Sequence, residues 1–220
     1  MRKRTYTDDE LIARVWDVEE IKKLANKRVY YQANGWRERE LDELWTAQHK
    51  DTASYGANNG FYVGLDSVRK WYVGAAATGD GVLFQHPIST GLVELAGDGQ
   101  TAKGLWYCWG SQAQVLSCGP TASWTWGYYA ADFVREGNGW KLWHLQITND
   151  VDARCGTDWG QPAQPLPELP EFAPLKDFAM PAYSMARPNR VQYSGRRPLT
   201  GSPRIPEPYH TFADTFSYGV

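Results

Sequence analysis

The sequence predicts an α+β fold, in which helices of the N-terminal half pack on a strongly curved antiparallel sheet. Residues 101–150 hold six of the eleven tryptophans, in three extended runs separated by turn residues. Each run alternates with period two, and both resulting faces carry aromatic side chains. An ordinary antiparallel sheet leaves one face polar, so we expect the second face to be covered or to wall a cavity. The Gly-Asn-Gly sequence at 137–139 favours a hairpin turn between the last two runs.

Three helices are predicted before these strands. Thr7 and Glu10 form a capping box, which starts a helix that ends at 34–35, Asn-Gly. A second, shorter helix starts near Arg37, and Asp66 is the predicted cap of a third. The apolar stripe of the first helix is Leu11, Val15, Val18, Ile21, Leu24, Ala25 and Val29, and the buried face of the third is Val68, Trp71, Tyr72 and Ala75. A strand follows, interrupted at 86–87, His-Pro.

The composition changes abruptly after residue 160. Eleven of the thirteen prolines lie between Pro162 and Pro208, a spacing that excludes long helices and strands. The same stretch holds more aromatic residues than a disordered linker normally has. We therefore predict a cone domain at 1–158 and an extended proline-rich C-terminal arm at 159–220, which packs over a neighbouring subunit or across the pocket mouth. A floppy tail is the alternative.

Charge and cysteine content exclude several classes of protein. The net charge is −2 and the isoelectric point is near 6.1, which argues against nucleic-acid binding. The basic start is followed by no apolar run, so neither a signal peptide nor a membrane span is predicted, and a cytoplasmic location is expected. Cys108, Cys118 and Cys155 form no CxxC pair and are expected to be buried thiols. No histidine spacing or glycine-rich motif predicts a metal or a cofactor.

The order of elements, and above all the hairpin DFVREGNGWKLWHLQ, resembles the nuclear-transport-factor-2-like superfamily in its SnoaL-like polyketide cyclase subset. The pieces that carry the resemblance are 21–31, 41–45, 64–68, 104–107 and 132–145. The resemblance covers roughly residues 10–150 and leaves the arm outside. It implies that the sheet bends into a cone around a pocket that the helices close. It also implies pairing of subunits through the sheet, and we expect a dimer or trimer. The family includes cyclases, dehydratases, isomerases and binding modules.

His86 is the first candidate catalytic residue. Dehydratases of the bile-acid type resemble this chain in having a catalytic histidine at a strand start, and His86 stands there, twenty residues before Trp106. A histidine that titrates near neutrality can act as both base and acid. The alternative is a histidine bonded to a backbone carbonyl beside a proline.

The same dehydratases have a catalytic tyrosine on the first helix, followed by an aspartate. Tyr30 and Tyr31 bracket the tyrosine position, and Asn34 stands near the position of the aspartate. Asparagine is no base, and a second family carboxylate, expected near 109–110, is absent too. These departures put ordinary dehydratase chemistry in doubt.

Three further residues are catalytic candidates, each with a structural alternative. His144 on the last hairpin either faces the pocket or is a core histidine with local partners. Arg28 either holds an anionic oxygen or is a solvated helix residue, and Tyr55 either donates a proton or packs. The substrate-binding candidates are Asn34, Trp106, Trp109, Trp124, Trp126 and Tyr128.

The sequence thus favours a cofactor-independent lyase that acts on an aromatic small molecule. The closest functional resemblance is to SnoaL-like diarylpropane and phenylcoumaran lyases, which release formaldehyde from lignin-derived dimers. Such chemistry passes through a quinone methide and needs proton shuttles and aromatic walls rather than a metal. The alternatives are a dehydratase, isomerase or cyclase on a polycyclic or polyketide-like substrate, and a ligand-binding or assembly module without turnover.

Overall fold

The computed structural model describes residues 6–74, 81–116, 119–156, 182–188, 190–193 and 203–220. The helices are α1 (Asp8–Ala33), α2 (Arg37–Leu44) and α3 (Leu65–Tyr72). The strands are β1 (Ser54–Ala57), β2 (Gly60–Val63), β3 (Leu83–Gln85), β4 (Ile88–Leu95), β5 (Thr101–Leu116), β6 (Gly119–Glu136) and β7 (Gly139–Arg154). A 3-10 turn spans Phe212–Asp214. Among the described helices, none combines the length and the apolar character needed to cross a membrane.

The first helix begins with the predicted capping box. The Thr7 hydroxyl accepts a hydrogen bond from the Glu10 amide, and the Glu10 carboxylate accepts one from the Thr7 amide. The prediction that Leu11 and Val15 are buried is wrong, because both side chains are exposed. The opposite side of these turns faces the sheet through polar contacts. Arg14 donates to two carbonyl oxygens at the end of β4, and Asp17 accepts a hydrogen bond from the Trp140 indole.

The N-cap of the third helix lies two residues before the predicted one. Gly64 is the N-cap residue, with a φ of 83° that favours glycine, and Asp66 lies inside the first turn. Val68 and Tyr72 are buried as predicted, whereas the predicted Ala75 lies outside the described residues.

The strands form one sheet in the order β2-β1-β7-β6-β5-β3, and β4 also pairs with β5. Long antiparallel ladders join β5 to β6 and β6 to β7, as the aromatic runs predicted. Gly137 turns the last hairpin with a φ of 59°. One pair departs from the antiparallel prediction, because β1 runs parallel to β7. The predicted α+β class, three helices with a curved sheet, is confirmed.

A bulge in β7 inverts part of the predicted alternation. Asp132 pairs with His144 and Phe133 pairs with Leu142, so Trp143 is one extra residue between two ladder positions. One extra residue turns the following side chains to the other face of a sheet. Leu142 therefore faces the helices and His144 faces away, although the sequence pattern placed them together.

The helices cover one face of the sheet, and part of the other face is covered by the C-terminal residues. The face that contacts the three helices, here the inner face, carries the main core, which includes Trp106, Tyr129 and Phe133. The opposite, outer face carries a smaller cluster formed by Leu105, Tyr128, Ala130 and Tyr218. Tyr218 belongs to residues 203–220, here the C-terminal strap, which lies on the outer face of the same chain.

A second described part of the arm lies at the edge of the sheet. Met185 exchanges two backbone hydrogen bonds with Phe61 of β2. The ring of Tyr183 packs against that of Tyr62, tilted by 34°, with 4.9 Å between centroids. These contacts cover the free edge of β2, which would otherwise expose unpaired backbone groups.

The three cysteines differ in their surroundings. Cys108 is buried on the inner face, as predicted, but Cys155 is exposed, which corrects the expectation of a buried thiol there. Cys118 lies outside the described residues.

Candidate functional site

Four polar side chains from the three helices meet under the inner face. Arg28 of α1 is almost fully buried and donates to Glu40 of α2 over 3.1 Å and to Gln32 over 2.8 Å. It also donates to the hydroxyl of Tyr72 of α3, which in turn donates to Glu40 over 2.7 Å. We call these four residues the inner cluster. Every charge in it has a partner, as a buried ion pair requires.

Two polar atoms near this cluster have no partner. The atoms His86 Nε2 and the Tyr129 hydroxyl are buried, and neither forms a hydrogen bond to any residue that the structure describes. The ring of Tyr129 lies 5.8 Å from the Arg28 guanidinium. A buried polar atom without a partner costs about 1–3 kcal/mol, so each such atom in a native fold needs a reason. A ligand or water that hydrogen bonds to each atom is the simplest one.

The position of His86 depends on a glycine. His86 lies between β3 and β4 and rests against Gly110 of β5, where a Cβ atom would stand 2.1 Å from His86 Cδ2. The same Cβ atom would be 2.2 Å from the Gln85 carbonyl oxygen. Any larger residue at 110 would therefore displace the imidazole.

Burial keeps four titratable side chains beside the inner cluster neutral. Burial, with the positive charges of Arg28 and Arg37, lowers the pKa of His86 to about 4. Burial raises the pKa of both Tyr55 and Tyr129, and raises that of the Cys108 thiol to about 11. At neutral pH the imidazole can therefore accept a proton, the phenols can donate hydrogen bonds, and the thiol is a poor nucleophile.

A row of aromatic rings runs from the edge of the sheet to the inner cluster. Tyr62 stacks on Trp71 at 4.7 Å, and Trp71 lies 4.6 Å from Tyr55. Tyr55 stacks at 5.8 Å on Tyr72, a member of the cluster. Tyr183 of the arm extends this row at its outer end. The row gives the interior an apolar wall suited to a flat ring.

Four of the residues that the sequence singled out lie in this region. Arg28 belongs to the inner cluster, Tyr55 packs on it, and His86 carries one of the partnerless atoms. Trp106 stands edge-on to Tyr129 at 5.4 Å. They come from α1, β1, the β3–β4 connection and β5, so only the folded chain brings them together. Their catalytic and binding roles stay predictions.

The three candidates at the end of α1 lie elsewhere. Tyr30 is 69% exposed, and Asn34 is an exposed C-cap residue whose amide donates to the Tyr30 carbonyl oxygen. Tyr31 is buried, but its hydroxyl donates to Glu43 of α2 over 2.7 Å. Because Arg28 occupies the inward position of this part of α1, the helical period turns Tyr30 toward solvent.

Four predicted substrate-binding rings lie on the outer face. Trp109, Trp124 and Trp126 are exposed there. Tyr128 is buried beneath the strap, and the Arg190 guanidinium lies 5.0 Å from its ring. Trp106 is an odd number of residues away from Trp109 on the same strand, so the two rings point to opposite faces.

His144 also lies on the outer face, in a buried network. Its Nδ1 is 2.8 Å from Asp132 Oδ2, and Lys103 Nζ is 2.6 Å from Asp132 Oδ1. We call these three residues the outer cluster. The Tyr218 amide of the strap donates to Asp132 over 2.8 Å, and Ser217 Oγ is 3.2 Å from both Asp132 and His144 Nδ1. His144 thus has local partners, the second of its two predicted environments.

The outer cluster is not arranged as a serine–histidine–aspartate relay. In such a relay the serine contacts one ring nitrogen and the aspartate contacts the other. Ser217 and Asp132 both contact Nδ1 of His144. Four aromatic rings of the strap surround Lys103 Nζ at 4.4–5.9 Å; they are Tyr209, Phe212, Phe216 and Tyr218.

Sequence reasoning missed Glu40 and Tyr129 as members of the inner region. Glu40 stands four residues before Leu44, so a charged residue shares the buried side of α2 with a leucine. Such a charge on an apolar helix face was a usable signal, because an unpaired buried carboxylate is rare. Tyr129 was visible on an aromatic face, but nothing in the sequence distinguished it from Tyr128.

Solved structures with this fold come from several bacteria. A protein of Novosphingobium aromaticivorans assigned as a scytalone dehydratase is 13% identical, with a TM-score of 0.54 over 66% of this chain and 92% of that one. The hexachlorocyclohexane dehydrochlorinase LinA-type3 of Novosphingobium barchaimii is 14% identical, with a TM-score of 0.52 over 71% and 100%. A protein of the NTF2-like family from Streptomyces avermitilis, assigned as a dehydratase, is 17% identical, with a TM-score of 0.52 over 60% and 96%. At these identities the likeness shows the fold.

Sequence comparison identifies the family. No curated protein matches the chain significantly. The model of the SnoaL-like domain matches residues 13–146, more than half of the chain, and these residues include the inner cluster, His86 and Tyr129. The chain therefore belongs to the SnoaL-like domain family.

Proposed function

We propose that this protein is a cofactor-independent lyase that acts on an aromatic small molecule beneath the inner face. The observation that carries the proposal is the pair of buried, partnerless atoms, His86 Nε2 and the Tyr129 hydroxyl. An elimination needs a group that accepts a proton and a group that stabilises the oxygen that gains charge. Structures of this fold assigned as a dehydratase and a dehydrochlorinase support elimination as the reaction class.

His86 is the proton acceptor in this proposal. Its lowered pKa keeps it neutral across the physiological range, so the enzyme has its basic form ready before substrate binds. A base with a pKa of about 4 is weak, and it works here only because the substrate proton it removes is activated by the ring. Exclusion of water strengthens every interaction of this kind.

Tyr129 and Tyr55 are the hydrogen-bond donors. Burial raises the pKa of each phenol, so both keep their protons at neutral pH. The charge of Arg28 lies close to both rings and favours an oxygen anion beside the Tyr129 hydroxyl. The ion pair with Glu40 limits this effect, because the cluster as a whole carries little net charge.

The finer proposal is the release of formaldehyde from a phenolic diarylpropane, a lignin-derived dimer. The phenol loses its proton and the benzylic hydroxyl leaves as water, which forms a quinone methide. The hydroxymethyl O–H then gives its proton to His86, the C–C bond to that carbon breaks, and the electron pair returns to the ring. The phenolate formed in this way takes the proton back from His86, which restores the neutral imidazole. One diol yields a stilbene, formaldehyde and water. In a phenylcoumaran the ring ether oxygen leaves in place of water.

The aromatic walls support a substrate of this kind. Tyr55, Trp71 and Tyr62 form a continuous row of rings that ends at the inner cluster. A second candidate function is a dehydratase or isomerase on another polycyclic scaffold, which the dehydratase-like structures favour. Both functions use the same proton acceptor and differ in the bond that breaks.

The test is an incubation of the purified protein, without added cofactor, with phenolic diarylpropanes and phenylcoumarans. We expect formaldehyde and a stilbene in equal amounts, with the stilbene measured by its ultraviolet absorbance. His86→Asn should abolish most of this turnover, whereas His210→Asn, a change at an exposed histidine of the strap, should not. If no substrate of the panel yields formaldehyde and a stilbene, the proposal of formaldehyde release is refuted. Wild-type rates in His86→Asn would refute the site, and binding without turnover of any substrate would make the protein a binding module.

A further inference from the structure

The first half of α1 carries an exposed apolar surface that lies outside the proposed catalytic site. Leu11, Ile12, Val15 and Trp16 are 46%, 68%, 65% and 66% exposed. Single exposed apolar residues are normal on a protein surface, but four large ones within two helical turns form a patch. Patches of this kind mark interaction surfaces.

The exposed face of α1 continues to the end of the helix. At 3.6 residues per turn, Tyr30 follows Ile12 by five full turns and lies on the same side. Glu19, Lys23 and Asn26 lie between them, and all are exposed. Ile21, Leu24, Ala25 and Arg28 occupy the opposite, buried side. The exposed face is therefore one straight stripe about 27 Å long.

The charges of this stripe are divided between its two halves. The N-terminal half carries acidic side chains around its apolar patch: Asp8, Asp9, Glu19 and Glu20. The C-terminal half carries basic ones: Lys22, Lys23 and Lys27. A helix with this pattern is complementary to a second copy of itself that runs in the opposite direction.

We propose that α1 is a dimerisation surface that packs antiparallel against α1 of a second copy, about a two-fold axis between Glu19 and Lys23. Glu19 then faces the partner's Lys23, and Trp16 faces the partner's Asn26. Ile12 faces the partner's Tyr30. Because a two-fold interface is isologous, each of these contacts occurs twice.

A groove beside the patch completes the interface. It has a volume of about 440 Å³ and is lined by Ile12 and Trp16 on one side and by Arg135 and Asn138 on the other. The exposed ring of the partner's Tyr30 enters it. The sequence singled out Tyr30, and the structure places it away from the inner cluster, so docking gives this residue a role.

The interface is small. Two helices in contact over about 27 Å bury less surface than the standard interface of about 1,600 Å². We therefore expect a reversible dimer with a dissociation constant on the order of micromolar. The acidic character of the apolar half disfavours an anionic membrane surface as the alternative occupant.

The test uses the self-complementarity of the charges. Glu19→Lys or Lys23→Glu alone places like charges opposite each other twice, so each should weaken the dimer about tenfold, as measured by sedimentation velocity over a range of concentrations. The double variant, Glu19→Lys with Lys23→Glu, should dimerise again. A mixture of the two single variants should form a heterodimer, because every pair across that interface is then opposite in sign.

Three controls keep the result interpretable. Glu19 contacts Lys22 in its own helix, so circular dichroism must show that each variant remains folded. Lys50→Glu changes an exposed lysine outside α1 and should leave the dimer intact. Trp16→Glu should remove the dimer entirely. A chain that is monomeric at every concentration overturns the proposal, and so does a dimer that resists Trp16→Glu but dissociates with Trp126→Ser on the outer face.

Discussion

Each face of the sheet buries an ion pair beside a histidine, but only one of these two histidines has a hydrogen-bond partner among the described residues. On the outer face, Asp132 binds Lys103 and His144, and the strap closes over all three. On the inner face, Arg28 and Glu40 are equally well paired, yet His86 Nε2 beside them has no partner.

This difference in hydrogen bonding distinguishes a structural role from a chemical one. A buried charge network in which every group is bonded fixes the packing of the elements that carry it. A half-buried imidazole whose inner nitrogen has no described partner lowers stability, and a ligand that occupies the site during function is one reason for a native fold to keep it. We therefore interpret the outer cluster as a structural element that fastens the strap, and the inner region stays the proposed binding site. The neighbouring Ser54 Oγ on the outer face also has no hydrogen-bond partner among the described residues, so the contrast applies to the two histidines alone.

The largest effect should come from breaking the outer ion pair. Asp132→Ala leaves the buried Lys103 ammonium without its carboxylate and should lower the free energy of unfolding by about 3–5 kcal/mol. Urea denaturation measures this loss. The double variant Lys103→Met with Asp132→Leu removes both charges and should recover most of it. A single variant as stable as the wild type would show that the outer cluster does not hold the strap.

The same substitution at both histidines, His86→Asn and His144→Asn, tests the comparison of the two faces directly. His86→Asn should lower kcat about 10²–10⁴-fold, the usual contribution of a positioned acid–base group, with little loss of stability. His144→Asn should lower the free energy of unfolding by about 1–3 kcal/mol through its lost bond to Asp132 and leave turnover per folded molecule unchanged. If His144→Asn instead removed activity from a stable protein, the sequence prediction of a catalytic His144 would be right.

The pH dependence of stability should follow His86. Its pKa lies near 4 in the folded protein and near 6.5 in the unfolded chain. The unfolded chain binds the extra proton in this window, so the contribution of neutral His86 is complete above pH 6.5 and is lost as pH falls toward 4. We expect a loss of about 1–3 kcal/mol, discounted for partial exposure. His86→Asn should flatten this part of the stability profile.

The same pKa sets the pH dependence of activity. If His86 is the proton acceptor, kcat/KM should stay level as pH falls through 6.5 and decline only near pH 4. A decline centred near 6.5 would assign the essential base to another group. The profile is best measured at low substrate concentration, where it reports groups of the free enzyme.

The smallest expected effects come from substitutions of two glycines, one on each face of the sheet. Gly110→Ala places a Cβ atom 2.1 Å from His86 Cδ2, and Gly219→Ala places one 2.6 Å from His144 Cδ2. The first should lower turnover by about tenfold or more, because small displacements of a catalytic group are costly. The second should lower stability by about 1–2 kcal/mol and spare turnover, since the strap can shift. Equal effects of both on turnover would contradict the division between the faces.

Much of the fold was predictable from local signals. The capping box at Thr7, the break at 86–87 and the turn at Gly137 all rest on residues adjacent in sequence, and all three are confirmed. Predictions that required knowing which face is inside failed more often. Leu11 and Val15 show the period of a helix, but period alone does not say which side meets the sheet.

The sequence by itself determined the α+β class, the three helices and the long aromatic strands, because propensity, capping and alternation act over a few residues. It also singled out Arg28, Tyr55, His86 and Trp106, whose roles stay predictions, but it did not separate them from Trp109, Tyr128 and His144 on the outer face. Only the tertiary structure decided that separation. The extra residue at Trp143 inverts a strand, and the helices and the strap choose which face each covers, through contacts between residues far apart in the chain.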